Sequence, residues 1–295
     1  MCEYSVSIII VNYNSFHHTQ ECVKSLLKID YSNFDIWIVD NGSNKQDRDD
    51  LTSLAVYEKV NLVFSSVNSG FAGGNNIGIK KVLDTKRPDF FLLLNEDTVV
   101  EKDFLSQMIC CFSNDNRVGM ISPKIMDYNN KHMVRNAGGH INLTRGTVNV
   151  PGGRDDKRFN KEGFITFASG CCMLIKYDAL KEVGLMPEEY FLYYEDTEYC
   201  LRFLKKGYKL WYEPGSVIYH KKGGSTITFS PTYQYYYLRG RLMFIKRNFN
   251  FINKLTAYPI TFLFAVKSII TGKAQYSNTR QAIVDFFRNK TGIRD

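Results

Sequence analysis

Asn95-Glu96-Asp97 directly follows an entirely apolar run, F-F-L-L-L at residues 90–94. A buried strand ending in this way delivers two carboxylates to a rim, where Mg²⁺ or Mn²⁺ can bind them together with substrate phosphate oxygens. Asp97 would equally suit a helix cap, so this cluster alone leaves both readings open. Asp40-Asn41-Gly42-Ser43 reads either as an Asn-Gly turn with a serine cap or as a carboxylate that accepts a base N–H. Tyr13, in V-N-Y-N after another apolar run, offers a ring on which that base, a pyrimidine, could stack.

Three further segments carry chemistry. The stretch N-S-G-F-A-G-G-N-N, residues 68–76, matches neither G-x-G-x-x-G nor the P-loop pattern, so dinucleotide and P-loop readings fail. Its glycines still allow close backbone approach to a ribose, diphosphate or sugar, the alternative being a plain flexible loop. Tyr193-Tyr194-Glu195-Asp196 places a carboxylate behind an aromatic segment, where desolvation would raise its proton affinity and suit a general base. His220 ends an apolar run and precedes Lys221-Lys222-Gly223-Gly224-Ser225. Its imidazole could complete a metal site while the lysines and amides hold phosphate, although a lone histidine is usually structural.

The elements that must position these residues read as a mostly parallel sheet with crossover helices. Strands are expected at 6–11, 34–39, 61–64, 90–94 and 118–122, and helices near 19–27, 46–56, 76–83 and 104–112. In an open α/β sheet the carboxyl ends share one edge, with the ligand crevice outside it, so the polar clusters would converge. Past Pro123 the glycine-punctuated chain suggests hairpins or a mobile loop. A second β-rich stretch is expected at 164–175, and Glu195-Asp196 opens a helix that Gly207 stops.

Composition supports a folded protein: 295 residues, 44% hydrophobic, 14% aromatic and 23% charged. Seven cysteines without a C-x-x-C argue against a disulfide framework or zinc ribbon and for a reducing cytosol. The start of the chain lacks the basic region and apolar length of a signal peptide. Residues 231–295 carry eleven Lys/Arg against two Asp within a net charge of +8, so the body is nearly neutral and the tail strongly basic. Such a tail fits phospholipid headgroups or nucleic acid. The apolar stretch 255–271 is broken by Pro259 and Lys267, and reads as an interface-lying or ordinary packed helix instead of a membrane span.

Seven ordered motifs resemble the inverting family 2 glycosyltransferases, particularly their bacterial rhamnosyltransferase-like branch. They are V-S-I-I-I-V-N-Y-N, I-V-D-N-G-S, N-S-G-F-A-G-G-N-N, L-L-L-N-E-D-T, A-S-G-C-C-M-L-I, F-L-Y-Y-E-D-T-E-Y-C-L-R and H-K-K-G-G-S. The resemblance spans residues 6–225 and implies an α/β GT-A fold, with a Rossmann-like, mostly parallel central sheet flanked by helices and a C-terminal helical, basic extension. Residues 1–230 would form the catalytic domain, with 1–125 binding nucleotide-sugar and 126–230 the acceptor; 231–295 would be the extension.

By the same resemblance, Tyr13, Asn14 and Asp40 bind the nucleotide, and Asn68, Gly70, Gly73, Asn75 and Asn76 line the donor. Asn95-Glu96-Asp97 stands at the family's D-x-D-like motif, with Asn95 and Glu96 near the donor. Asp97 and His220 would be ligands for Mg²⁺ or Mn²⁺. Asp196 corresponds to the catalytic base and Glu195 assists the acceptor. The implied reaction moves a sugar, dTDP-rhamnose first and a UDP-hexose next, to a glycan or polyprenyl-linked oligosaccharide for a bacterial surface polysaccharide. The implied setting is the cytoplasm, peripheral on the inner membrane face, with an anionic membrane surface preferred to nucleic acid and homo-oligomers allowed. The competing reading is a non-catalytic sugar-nucleotide-binding subunit of an assembly complex.

Overall fold

The computed structural model describes residues 4–113, 115–221 and 230–294, so Lys222-Gly223-Gly224-Ser225 lie outside the described residues. The first half alternates β1 (Val6–Asn12), α1 (Phe16–Leu26), β2 (Phe34–Asn41), α2 (Lys45–Leu51), β3 (Val60–Ser65), α3 (Gly70–Thr85) and β4 (Phe90–Asn95). In β1, Ile8 and Ile10 pack into the core on one face of the sheet and Ile9 into the core on the other. A strand buried on both faces must be apolar throughout, which is why V-S-I-I-I-V shows no alternation.

After β4 come β5 (Thr98–Val100), α4 (Phe104–Cys110), β6 (Val118–Asp127), β7 (Met133–Asn136), β8 (His140–Asn142), β9 (Thr147–Asn149), β10 (Gly153–Arg154), β11 (Gly163–Ile165) and β12 (Cys172–Lys176). Then follow α5 (Tyr177–Val183), α6 (Glu195–Lys205) and β13 (Lys209–His220). The main sheet runs β10-β7-β6-β12-β4-β1-β2-β3, with β13 against β6, β5 and β11, while β8 and β9 form a separate hairpin. The strands β3, β2, β1 and β4 are parallel, and the register sets Asn12 opposite Asp40 and Val11 opposite Asn95. Their polar ends therefore finish at one edge. β12 enters antiparallel between β4 and β6, separating the fourth and fifth expected strands.

Two boundaries differ from the sequence expectation for physical reasons. The fifth strand continues to Asp127, because β13 pairs along it as far as His220 opposite Asp127. Helix α3 starts at Gly70, six residues before the expected start, so Gly73, Asn75 and Asn76 sit within a helix and not in a loop. Glycine and asparagine are poor helix formers, but tertiary packing overrides propensity here. A Cβ on Gly74 would lie 2.6 Å from Val11, and one on Gly78 would lie 2.5 Å from Ile9. The glycines let α3 approach the sheet closely.

The C-terminal segment is helical: α7 (Pro231–Asn248), α8 (Phe251–Ile270) and α9 (Tyr276–Phe287). Its residues Tyr235, Leu242, Phe244 and Phe286 share a hydrophobic cluster with Tyr190, Phe191, Tyr194 and Leu201. Among the described residues no helix is long and apolar enough to cross a membrane. Glu198 joins α6 to α7: it accepts from Tyr190 Oη (2.7 Å), Arg202 Nη2 (2.7 Å), Arg247 Nε (3.1 Å) and Asn248 Nδ2 (3.0 Å). Burial alone would raise its pKa, yet these donors hold it below the ordinary glutamate value.

Glu198→Ala should therefore destabilise the fold by about 2–4 kcal/mol in urea denaturation at neutral pH, because it leaves two guanidinium groups without their buried partner. A depressed carboxyl stabilises above its unfolded pKa and loses that contribution as pH falls. The gap between wild type and variant should therefore shrink below about pH 4.

Candidate active site

A cleft of about 420 Å³ opens at the carboxyl edge of the parallel strands. Tyr13, Asn41, Asn68, Gly70 and Glu96 line one side, and Phe191, Tyr236 and Arg294 are among those lining the rest. Tyr13 follows the end of β1 and is 41% exposed, leaving its ring available for stacking. Asn41 Nδ2 donates to Asn68 Oδ1 (3.1 Å) and to the Gly70 carbonyl (3.0 Å), fixing the start of α3 against the end of β2. Gly70 takes a φ of +74°, and a Cβ there would stand 2.3 Å from the Phe191 carbonyl oxygen, so no other residue fits.

Asn14, Asp40, Gly73, Asn75 and Asn76 are not among the residues that line the cleft. Asp40 is buried; its Oδ1 accepts from the Ser43 amide (3.3 Å) and its Oδ2 lies 3.4 Å from Arg48 Nε. Asn14, at φ +52°, uses its side-chain oxygen to accept from both the amide and the side chain of Asn44 (2.8 Å each), tying the β1 loop to the β2 loop. Asn75 donates to the Phe71 carbonyl within its own helix. Asn76 is buried and bonds the Met186 backbone twice, Nδ2 to its carbonyl (2.9 Å) and Oδ1 from its amide (3.0 Å). A Cβ on Gly73 would meet the Ser69 side chain. Gly73, Asn75 and Asn76 do not line the cleft; they build the helix beneath it.

Glu96 reaches the cleft, and burial followed by the neighbouring Asp97 charge raises its carboxyl to about 8. Asp97 is buried, and its carbonyl accepts from the Lys221 amide (2.8 Å). Its Oδ1 lies 3.0 Å from His220 Nε2, yet no aligned hydrogen bond reaches that oxygen among the described residues. Pairing of β13 with β5, His220 opposite Thr98, brings these distant residues together. The buried Asp97 oxygen without a hydrogen bond, beside the His220 imidazole, makes a carboxylate–imidazole donor set that a dication such as Mn²⁺ would accept.

Asp196 sits at the start of α6, behind Tyr193 and Tyr194, both left-handed at φ +67° and +73°. Its Oδ1 accepts from the Thr197 amide (2.7 Å) and its Oδ2 from the Gly170 amide (3.2 Å). Burial nonetheless raises its pKa, as does Asp196's charge, after burial, for Glu195, whose Oε2 has no hydrogen bond among the described residues. Gly170 is the connector. The next residue, Cys171, accepts from the Asn95 amide (3.0 Å), so two consecutive residues link Asp196 to the Asn95-Glu96-Asp97 turn. A Cβ on Gly170 would also lie 2.9 Å from the ring of Phe71, which lines the cleft.

With this geometry, the family model for Glycosyl transferase family 2 matches residues 7–184. The chain belongs to that family. It is 28% identical over 197 residues to a low-salt glycan biosynthesis hexosyltransferase of Haloferax volcanii, covering 67% of this chain and 61% of that protein. The chain thus spans about three fifths of that relative. It is 26% identical over 252 residues to a dTDP-rhamnosyl transferase of Shigella flexneri, covering 83% and 81%. A mannosyltransferase from Pyrobaculum calidifontis, solved with GDP-Man and Mn²⁺, superposes with a TM-score of 0.62 at 15% identity, covering 97% of this chain and 88% of that one. That likeness establishes the GT-A fold.

The sequence reading did not single out Asn41, Gly170, Phe191, Tyr236 or Arg294. Asn41, Gly170 and Phe191 stood inside quoted motifs, whereas Arg294 is held in the cleft wall by its amide donating to Tyr236 Oη (2.7 Å), its guanidinium over the Tyr235 ring and its Nη1 donating to Asn278 Oδ1 (3.1 Å). The placement of Asn76 separates support from binding. Asn76→Ala should lower stability by about 1–3 kcal/mol by leaving both Met186 backbone groups unpaired, with the nucleotide Kd by calorimetry unchanged.

Proposed function

We propose that the chain is an inverting glycosyltransferase that moves a sugar from a nucleotide-diphosphate donor to a hydroxyl of a glycan or lipid-linked oligosaccharide. The observation that carries this reading is the Gly170-Cys171 bridge, which ties the half-buried Asp196 carboxylate to the acidic turn at the donor cleft. dTDP-rhamnose is the first donor to test, in line with the Shigella relative, and a UDP-hexose the second.

Tyr13 stacks the base while Asp40 accepts from its edge, and Asn68 with Gly70 borders the sugar and diphosphate. Asp97 and His220 would hold Mg²⁺ or Mn²⁺, which would supply Lewis-acid neutralisation of the departing diphosphate. Asp196, with a pKa raised by burial, takes the proton from the acceptor hydroxyl. The hydroxyl oxygen then attacks C1 of the sugar from the face opposite the nucleotide, and the C1–O bond to diphosphate breaks with inversion. Glu195, buried and without a hydrogen bond at Oε2 among the described residues, assists at the acceptor side. A base with a raised pKa places the acid limb of the rate profile above the usual aspartate range, activity falling as pH drops through it.

Asp196→Asn should lower transfer by about 10²–10⁴-fold while calorimetry finds nucleotide affinity unchanged. A fully active variant removes Asp196 from the base role. Asp97→Ala should abolish the Mn²⁺ dependence of nucleotide binding; unchanged binding and unchanged sensitivity to chelator would move the metal elsewhere. Across a panel of nucleotide sugars with Mn²⁺, the donor should raise Tm most, since only ligands of the native state stabilise it.

A further inference from the structure

Helix α8 presents two opposed faces. On the side against the body Ala257, Thr261 and Ala265 are buried, and Tyr258 and Phe262 pack partly buried against the C-terminal cluster. On the other side Ile252, Leu255, Leu263, Val266 and Ile270 are exposed, at 59%, 53% and 79% for Leu255, Val266 and Ile270. An amphipathic helix in a folded chain ordinarily buries its large apolar residues, so the five left exposed on this side of α8 call for another partner. The exposed line extends sideways, because Thr256 Oγ1 donates to the Thr144 carbonyl (3.1 Å) beside the exposed Leu143 of the β8–β9 turn.

We infer that this face is a docking surface for an anionic lipid membrane, on which α8 lies parallel to the plane. Two observations select that occupant. Between residues 214 and 284 the chain contains no Asp or Glu, while Lys254 and Lys267 are carried on α8, Lys273 just after it and Arg280 on α9. Apolar residues flanked by lysine match an acyl boundary beneath negative headgroups. The second observation is the period of the stripe: Ile252, Leu255 and Pro259 recur as Leu263, Val266 and Ile270 after eleven residues. An eleven-residue repeat is 3.67 residues per turn, close to the 3.6 of a straight helix, so the stripe runs nearly straight along about 27 Å. A straight line of contact suits a plane, whereas the seven-residue seam of a helical partner would wind around the helix.

The surface lies close to the reacting groups through bonded contacts. The hairpin beside α8 offers the Gly146 carbonyl to Tyr194 Oη (3.0 Å), and Tyr194 immediately precedes Glu195-Asp196. An acceptor anchored in the same membrane would thus present its hydroxyl without leaving the bilayer. The docking itself is independent of which sugar is transferred.

Co-sedimentation of the full chain tests this, using vesicles of phosphatidylglycerol with phosphatidylethanolamine and, separately, of phosphatidylcholine alone. The wild-type protein should partition onto the anionic vesicles about tenfold more than onto the neutral ones. Leu263→Ser combined with Val266→Ser should lower that partition by about tenfold, with Tm and nucleotide affinity unchanged, since both side chains are exposed. Lys254→Glu with Lys267→Glu should weaken binding most at low salt. Wild-type protein that stays in solution with both vesicles overturns the inference. So does a dimer by light scattering that the Leu263/Val266 variant splits into monomers, because a second copy would then cover the stripe. Nucleotide affinity is read without lipid, so failure of the glycosyltransferase reading is seen separately.

Discussion

The insertion of β12 between β4 and β6 is the constraint on which the rest of the site depends. Because β12 runs antiparallel to β4, the residues just before it arrive at the edge where β4 ends, and Cys172 pairs with Leu94. The two contacts that follow are made by main chain: the Cys171 carbonyl holds the Asn95 amide, and the Gly170 amide holds Asp196. Main-chain contacts in a ladder have little freedom to drift, so carboxylates from two separate elements are fixed relative to one another. A side chain at 170 would press on the Phe71 ring, 2.9 Å from where its Cβ would stand.

Electrostatics distinguishes carboxylates that hold the structure from those available for chemistry. Glu195 and Glu198 lie three residues apart on α6, yet their surroundings are opposite. Glu198 has donors from Tyr190, Arg202, Arg247 and Asn248 and a lowered pKa, whereas burial and then the Asp196 charge raise Glu195. Glu96 and Asp196 are raised as well, again chiefly by burial. Raised carboxyls gathered at one edge oppose folding at neutral pH, and such arrangements cluster at functional sites.

Much of the fold was readable from sequence because the parallel strands are buried on both faces and end abruptly in polar residues. That pattern located β1, β2 and β4 and their common edge. The start of α3 escaped because Gly70, Gly73, Gly74, Asn75 and Asn76 are weak helix formers, and contacts with distant elements account for them: Phe191 at Gly70, Val11 at Gly74 and Met186 at Asn76. Asn76 looked like a ligand contact because a polar residue after glycines often is one. Its partner, Met186, lies 110 residues away, a separation no local pattern encodes. The antiparallel entry of β12 and the arrival of Arg294 at the cleft are likewise products of long-range pairing. In contrast, Asp97 and His220 were both nominated by residue type, and β5–β13 pairing accounts for their proximity.

The C-terminal helices also bear on the backbone that presents Asp196. Left-handed conformations at two consecutive tyrosines cost of order 1–3 kcal/mol each and persist only where the surroundings over-determine them. Here α7 supplies those surroundings. A Cβ on Gly240 would lie 2.9 Å from the Tyr193 carbonyl oxygen, so only glycine lets α7 approach. The rings of Tyr233 and Tyr237 stack on each other at 5.2 Å and meet Tyr193 edge-on, while Tyr194 is held by the Gly146 carbonyl. With Glu198 tying α6 to Arg247 and Asn248, the tilt of the helix that carries the carboxylate is set from both ends by α7. The same helix lines the cleft through Tyr236. Residues beyond 230 thus take part in the geometry of the site.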